Sequence, residues 1–396
     1  TPPRAPTREP TTAEHRAIAA RRKRHRDLPA KVRRRQAIAL GVIVLLVAFG
    51  LYKVISGIFG SDDKKGGSTQ QVPVEKLIGQ TVVAKLPSSG PDEALLKRVS
   101  EGQIGGVLVN PKSAKALTTD TAKLQAAAKA GGNPPLMIAI DQEGGPVKRL
   151  PGPPKQSPAQ IGESGDEDRA SSEGKDTGTY LAGLGVNVDF APVADVAHPG
   201  AAKTLSTRTF GSDPAEVAKL VTAFAGGLRD GGTAATVKHF PGLGFAKNNT
   251  DVGIAKIAQT RDELEPDLEP FKSAIEGGVG LVMTSTATYG AFDAKNPAAL
   301  SPTIINTELR DNLGFDGVVI SDDLEGAAVT KQLPSDQAAL ASLAAGGDMV
   351  VFAKTTGASA NAYKSLVKAA TKGQLTRESL EASYKRILDL KDGFGA

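Results

Sequence analysis

The chain has no cysteine and only four histidines in 396 residues. The first absence excludes a disulfide framework and a lipid-anchoring cysteine. No His or Cys stands at metal-ligand spacing, so nothing of the usual zinc pattern is present. A Walker-type Gly-x-x-x-x-Gly-Lys is also missing, and Gly144-Gly145 runs straight into Pro146, which argues against a phosphate-cradling loop. No internal repeat is evident, and no polar linker divides the chain after residue 72. No cofactor is expected.

What is present is unevenly charged. Residues 1–35 hold 12 Lys and Arg against the acids Glu9, Glu14 and Asp27, a net of +9, while the whole chain carries +5. The remainder is therefore −4, and the basic character belongs to the tail alone. A nucleic-acid-binding role for the whole protein is not expected. The tail is rich in Pro, Thr, Arg and Ala with few large apolar residues, a disordered composition. It abuts Ala37 to Tyr52, uncharged throughout, and the apolar run resumes after Lys53 as Val54-Ile55-Ser56-Gly57-Ile58-Phe59. A helix needs about 20 mainly apolar residues to cross a bilayer, and 37–59 suffices if Lys53 snorkels to the interface. Arg33-Arg34-Arg35 on one side and Ser61-Asp62-Asp63 on the other set the basic end in the cytoplasm. A buried core helix would leave that asymmetry unexplained.

Four segments follow: 1–35 as a cytoplasmic tail, 36–59 as a membrane-spanning signal anchor, 60–72 as a flexible linker, and 73–396 as one globular domain displayed outside the membrane. Within that domain, short apolar runs at 81–85, 106–110, 136–141, 186–193, 234–240, 280–285, 317–322 and 348–353 read as strands. Helical periodicity appears at 91–101, 113–130, 168–183, 214–230, 262–277, 303–313 and 335–345, and a capped amphipathic helix at 376–391 would close the ring. Continuous apolar strands are expected where both faces of a parallel sheet are buried. Eight strands with helical crossovers predict an α/β fold of the (β/α)8 TIM-barrel type; an open doubly wound sheet is the rival. One anchor and a self-sufficient barrel make a monomer the default.

In a barrel the site lies at the carboxyl ends of the strands, and here those ends are polar. Strand three ends Asp141-Gln142-Glu143-Gly144-Gly145, strand four near Asn187, Asp189 and Asp195, strand five at Lys238-His239, strand seven at Ser321-Asp322-Asp323. Any one could cap the next helix. Together, acids, one lysine and one histidine describe a site for a polyhydroxylated, roughly neutral ligand. A hard cation among Asp141, Asp322 and Asp323 would be opposed by Lys238, so no metal is expected.

These stretches, with Asp189-Phe190-Ala191-Pro192-Val193-Ala194-Asp195-Val196, Arg208-Thr209-Phe210-Gly211 and Lys238-His239-Phe240-Pro241-Gly242, resemble in type and order the family 3 glycoside hydrolases. The likeness covers roughly residues 73–392 and points to the single-domain bacterial β-N-acetylhexosaminidases, which trim N-acetylglucosamine from peptidoglycan-derived sugars. It implies that Asp322 is the nucleophile of a retaining mechanism and that Asp141, Arg208, Lys238 and His239 hold the hydroxyls of the terminal sugar. A cation near Asp322 would keep it ionised for attack.

Three departures stand beside the match. The branch takes its general acid/base from a histidine in an Asp-Ser/Thr-His loop, but this chain reads Thr250-Asp251-Val252-Gly253. Leu243 replaces the second histidine of the preceding turn, and Pro146 stands where an arginine commonly follows the two glycines. The donor therefore has to come from elsewhere. His198 is the one spare histidine outside the tail, and Asp251 is the preferred stand-in because burial in a loop favours a protonated carboxyl. Two readings result: a membrane-tethered glycosidase, or a saccharide-binding protein of negligible turnover on the same scaffold. In a third, the barrel only supports partners recruited by the tail.

Overall fold

Short runs of Val, Ile, Leu and Met, buried on both faces, become eight parallel strands: β1 (Val82–Lys85), β2 (Gly106–Leu108), β3 (Met137–Ile140), β4 (Val188–Asp189), β5 (Ala234–Phe240), β6 (Leu281–Thr284), β7 (Val318–Asp323) and β8 (Met349–Val351). The computed structural model describes residues 71–205 and 207–394. Each strand pairs with its neighbour in the chain, and β1 also pairs with β8 through Val82↔Val350 and Val83↔Val351. The sheet is thus a closed barrel, which removes the doubly wound alternative. β4 is shorter than its apolar run of 186–193 because Pro192 offers no N–H to the ladder; pairing returns as a single bridge between Val193 and Lys238.

Side chains alternate across the strands. Val83, Met137, Ala139, Val188, Leu281, Met283, Val318, Ile320, Met349 and Val351 share one buried cluster. A cluster fed by strands all around the ring can lie only inside it. The alternate residues pack outward: Ile138 and Ile140 in one cluster, Val282 and Val319 in another, Val350 in a third. Continued by one step, the inward parity lands on Asp141 after Ala139, Lys238 after Thr236, and Asp322 after Ile320. The barrel's own period of two therefore delivers two carboxylates and an ammonium to one mouth.

The expected helices form at Glu93–Ser100, Ala114–Ala130, Glu167–Ala182, Pro214–Asp230 and Ser335–Ala344. The segment 262–277 is not one helix. It runs Arg261–Leu264, a 3₁₀ turn at Glu265–Leu268, then Glu269–Glu276, because Pro266 and Pro270 each remove an N–H. Thr303–Asn312 winds as a π-helix. Helices at Val74–Gln80, Pro158–Ser164 and Ala358–Thr371 were not expected from the sequence pattern. The last does carry an apolar face, with Ala362, Leu366 and Ala369 buried and Tyr363 and Val367 packed beside them.

The C-terminal helix Arg377–Asp392 closes the far end of the barrel by adding Ile387, with Phe394 just beyond it, to the interior cluster. Its Lys391 is buried, and Nζ donates to Gln80 Oε1 at 2.6 Å and the Gly105 carbonyl at 2.7 Å. Burial pushes that amine down to about 7. Among the described residues no helix is long and apolar enough to cross a membrane. The expected span 37–59 lies outside them.

Candidate active site

A cavity of about 850 Å³ opens at the carboxyl ends of the strands, and its wall includes Asp141, Arg208, Lys238, His239, Asp251 and Asp322. All six residues singled out in the sequence are thus brought together. Its size falls within the ~300–1,000 Å³ usual for small-molecule sites.

The floor is an ion cluster. Lys238 Nζ lies 3.0 Å from Asp141 Oδ1 and 2.7 Å from Glu143 Oε1. Arg208 grips the same Glu143 with two bonds, Nε to Oε2 and Nη2 to Oε1, each 2.7 Å. Burial alone would raise the Glu143 carboxyl, but Lys238 and Arg208 overcome it and draw it down to about 2. Asp141 is likewise lowered against its burial, chiefly by Lys238, with Arg149 helping at 3.3 Å. Burial opposes the charge on Lys238, yet Asp141 and Glu143 hold it at about 12. Ion pairs of this kind fix side-chain direction.

Glu143 was quoted in the sequence only as part of a motif; the structure makes it the hub that orients Arg208 and Lys238. Its signal was available, since it stands two residues after Asp141. Arg149 is a second addition. It enters from beyond the hairpin of Gln142–Gly144 and Val147–Lys148, putting a guanidinium beside Asp141 although Pro146 follows the two glycines.

Behind the floor, fully buried Asp195 holds the Lys-His-Phe-Pro-Gly turn. Its Oδ1 accepts the N–H of His239 at 3.2 Å and of Leu243 at 2.7 Å, and its Oδ2 lies 2.7 Å from His239 Nδ1. Asp189 is also fully buried. Oδ1 accepts the Gln142 N–H at 2.9 Å, whereas Oδ2 has no partner. Burial pushes this carboxyl up to about 8, with the carboxylates of Asp141 and Glu143 adding to it, so Asp189 is neutral at pH 7. Asn187 does not belong to the mouth, contrary to its grouping above. It splices the start of β3 to that of β4, accepting from Ile138 N–H at 2.7 Å and donating to the Leu136 carbonyl at 3.0 Å.

On the opposite wall Asp322 accepts the N–H of Asp323 at 2.7 Å. Asp323 turns away to cap the ends of β7 and β8, accepting from Glu325 and Ala353 N–H groups at 3.0 Å each, and burial raises it to about 7. Asp251 reaches the cavity from the 248–253 loop. Desolvation and the facing charge of Asp322 both raise its pKa, against Lys354 and His239. The loop is tied down through its carbonyls: Thr250 accepts from Ala328 N–H at 3.0 Å, Asp251 from Ala327 N–H at 3.2 Å and Lys354 Nζ at 3.1 Å. A Cβ added at Gly253 would meet nothing within 4 Å.

His198 is placed elsewhere. Its Nε2 lies 2.9 and 3.0 Å from the two oxygens of Asp267. Its ring stacks on Phe245 at 3.5 Å. It does not line the cavity and braces the back of the 243–249 turn.

Comparisons with known proteins agree with this geometry. Residues 63–390 match the family described as the glycosyl hydrolase family 3 N terminal domain. Over 328 residues the chain is 36% identical to an uncharacterized secreted glycosyl hydrolase of Arthroderma benhamiae, covering 80% of this chain and 93% of that protein. Over 302 residues it is 31% identical to β-hexosaminidase LpqI of Mycobacterium tuberculosis, covering 74% of this chain and 77% of the relative. Among solved structures, a family 3 β-N-acetylglucosaminidase from Paenibacillus sp. str. FPU-7 superposes with a TM-score of 0.79 at 32% identity over 82% of this chain. The chain spans 64% of the length of that Paenibacillus protein.

Proposed function

The chain belongs to glycosyl hydrolase family 3 as a glycosidase of the β-hexosaminidase-like kind, and on that premise we propose that it is a retaining β-N-acetylhexosaminidase acting on β-linked N-acetylglucosamine in peptidoglycan-derived or related saccharides. The observation that carries this reading is the convergence of Asp322, Asp251 and the Asp141–Lys238–Arg208 floor on one cavity. The floor is nearly charge-balanced, which suits a neutral sugar: carboxylates accept hydroxyl hydrogens, and Lys238 and Arg208 donate to hydroxyl oxygens. Asp322 attacks the anomeric carbon and the bond to the leaving oxygen breaks. Asp251, whose pKa is raised by desolvation and by the facing charge of Asp322, gives its proton to that oxygen. A water then attacks the anomeric carbon and releases Asp322, while Asp251 takes a proton from that water and is restored. His239, held by Asp195, contacts the sugar beside Lys238.

A second reading is favoured by Gly253, which leaves the loop without the histidine of the related branch. In it the floor binds saccharide and turnover is negligible. The two part in one assay of an aryl N-acetyl-β-glucosaminide beside a natural disaccharide, in this chain and in Asp322→Ala. Hydrolysis of neither, with saccharide binding demonstrated, removes the enzyme. Cleavage of the aryl substrate alone shows a nucleophile without an effective acid. Full activity on both, abolished by Asp251→Ala, identifies that carboxyl as the donor.

The proposal extends to place. Residues 1–35 form a cytoplasmic tail, 36–59 the anchor and 60–72 a tether, with the barrel from 73 outside the membrane as a monomer. This rests on the charge asymmetry around residues 37–59. Protease added to intact cells should remove the barrel; its protection there would refute the orientation.

A further inference from the structure

Among the described residues one large apolar side chain stands out in solvent: Val252, 70% exposed. A lone exposed valine is ordinary on a protein surface. This one is not on an idle surface, because it lines the cavity, one residue beyond Asp251. Its backbone is also held. The Val252 N–H donates to the Asn249 carbonyl at 3.2 Å, and its own carbonyl accepts Lys331 Nζ at 3.4 Å. The Asp251 carbonyl before it is bonded twice, to Ala327 N–H and Lys354 Nζ. A β-branched side chain on a fixed backbone has few rotamers to lose, so the apolar face is presented ready-made.

Asp141, Lys238, Arg208 and His239 occupy the barrel floor, and Asp322 lies on the wall above. Asp251 faces Asp322 from the loop. A sugar seated on the floor would direct its leaving group away from it, toward the loop that brings both Asp251 and the exposed Val252 to the cavity. Pyranose rings carry C–H-rich faces that gain from apolar contact as hydroxyls at their edges remain in water.

We propose that Val252 is the specificity-determining residue for the leaving group: it forms the apolar wall on which the ring on the reducing side of the scissile bond packs. This rests on the reading of the cavity as a saccharide site, but not on its turning over. The ligand class is a β-linked saccharide of at least two rings, the second pyranose lying against the Val252 methyls. Lys331 and Lys354 hold the loop by donating to its carbonyls.

The test measures binding, so that it stands apart from catalysis. With cleavage blocked by Asp322→Ala, N-acetylglucosamine and its β-1,4-linked disaccharide are titrated by calorimetry before and after Val252→Ala. Disaccharide affinity should fall about tenfold, the lower end of the loss for a methylene-sized pocket contact, and monosaccharide affinity should stay within about twofold. Val252→Ile should restore the disaccharide. Equal losses for both sugars would show a loop merely disturbed and overturn the proposal. So would an unchanged disaccharide affinity, or no gain from the second ring before the substitution. Failure of the wild-type chain to hydrolyse either substrate would sink the hydrolase reading alone, since these binding arms remain decisive.

Discussion

Asp189→Asn should stabilise this protein at neutral pH and do nothing for it in acid. The carboxyl is fully buried and accepts one hydrogen bond, from the Gln142 N–H at 2.9 Å, while Oδ2 has no partner. Burial raises it from its ordinary 3.8 to about 8. Between those two values the folded chain retains a proton that the unfolded chain releases, so stability falls as pH rises across that window. Below the lower value both states are protonated and the penalty vanishes; above the upper one it stops growing. At pH 7 the penalty comes to roughly 4 kcal/mol, at about 1.4 kcal/mol per pH unit. An asparagine keeps the Oδ1 acceptor and places an unpartnered amide where the protonated acid has an unpartnered hydroxyl. The two should therefore match near pH 4. Urea unfolding of both proteins at pH 4, 5.5, 7 and 8.5 reads the difference directly, as midpoints at constant slope. A difference that does not change with pH, or an asparagine variant less stable at pH 7, would refute the reasoning. Asp189 would then be an ionised partner of Lys238.

Glu143→Gln should act with the opposite sign. It leaves Lys238 and Arg208 short of a buried partner, so it should cost about 3 kcal/mol at pH 7 and lower kcat/KM on every substrate; full stability with unchanged kinetics would deny it the hub role. Because Glu143 is drawn down to about 2, the wild-type advantage should be present above its unfolded pKa and disappear as pH falls through the folded value. Gly253→His should raise turnover of the natural disaccharide by about 10², since a Cβ there meets nothing within 4 Å and the backbone is not left-handed. A new pH limb near 6.5 is the signature, and its absence with rate unchanged would mean that the side chain does not reach the bond. His198→Ala should lower stability by about 1–2 kcal/mol, through the lost stack and the stranded Asp267, and leave aryl-glycoside hydrolysis near wild type. An intact fold with abolished activity would instead make His198 the donor.

The barrel was legible because its signal is distributed: eight apolar runs, each too short for a helix, recur with crossovers of the right length. Asp141, Lys238 and Asp322 were legible because polar groups at the ends of such runs are conspicuous. Asn187 looked similar, but at the opening of its strand it joins two backbones, a role set by sheet register that composition does not display. Glu143 stands on the same parity as Asp141, but its pairing with Lys238 and Arg208 depends on the hairpin that Gln142–Gly144 begins after β3, which the sequence does not display. The two helix errors differ in kind. Pro266 and Pro270 broke a pattern that periodicity joined, and Ala358–Thr371 was passed over although Ala362, Tyr363, Leu366 and Val367 stand at helical spacing.

The proposed mechanism places binding and turnover in different parts of this molecule. Glu143, Asp141, Lys238 and Arg208 form a closed set of ion pairs on rigid strand ends, backed by neutral Asp189 and by Asp195 under the turn. Every member has its partner before a sugar arrives, so the floor needs no loop to be complete. The proposed donor Asp251, by contrast, sits on the 248–253 segment, which hydrogen bonds to its carbonyls tie to the barrel. A substitution in that segment leaves the ion pairs of the floor in place. Gly253 is such a change: it removes a side chain at a point open to solvent, and nothing in the ion cluster responds. The floor therefore predicts saccharide affinity whichever way the hydrolysis assay falls, and in the proposed mechanism Asp322 and Asp251 together turn that affinity into a reaction.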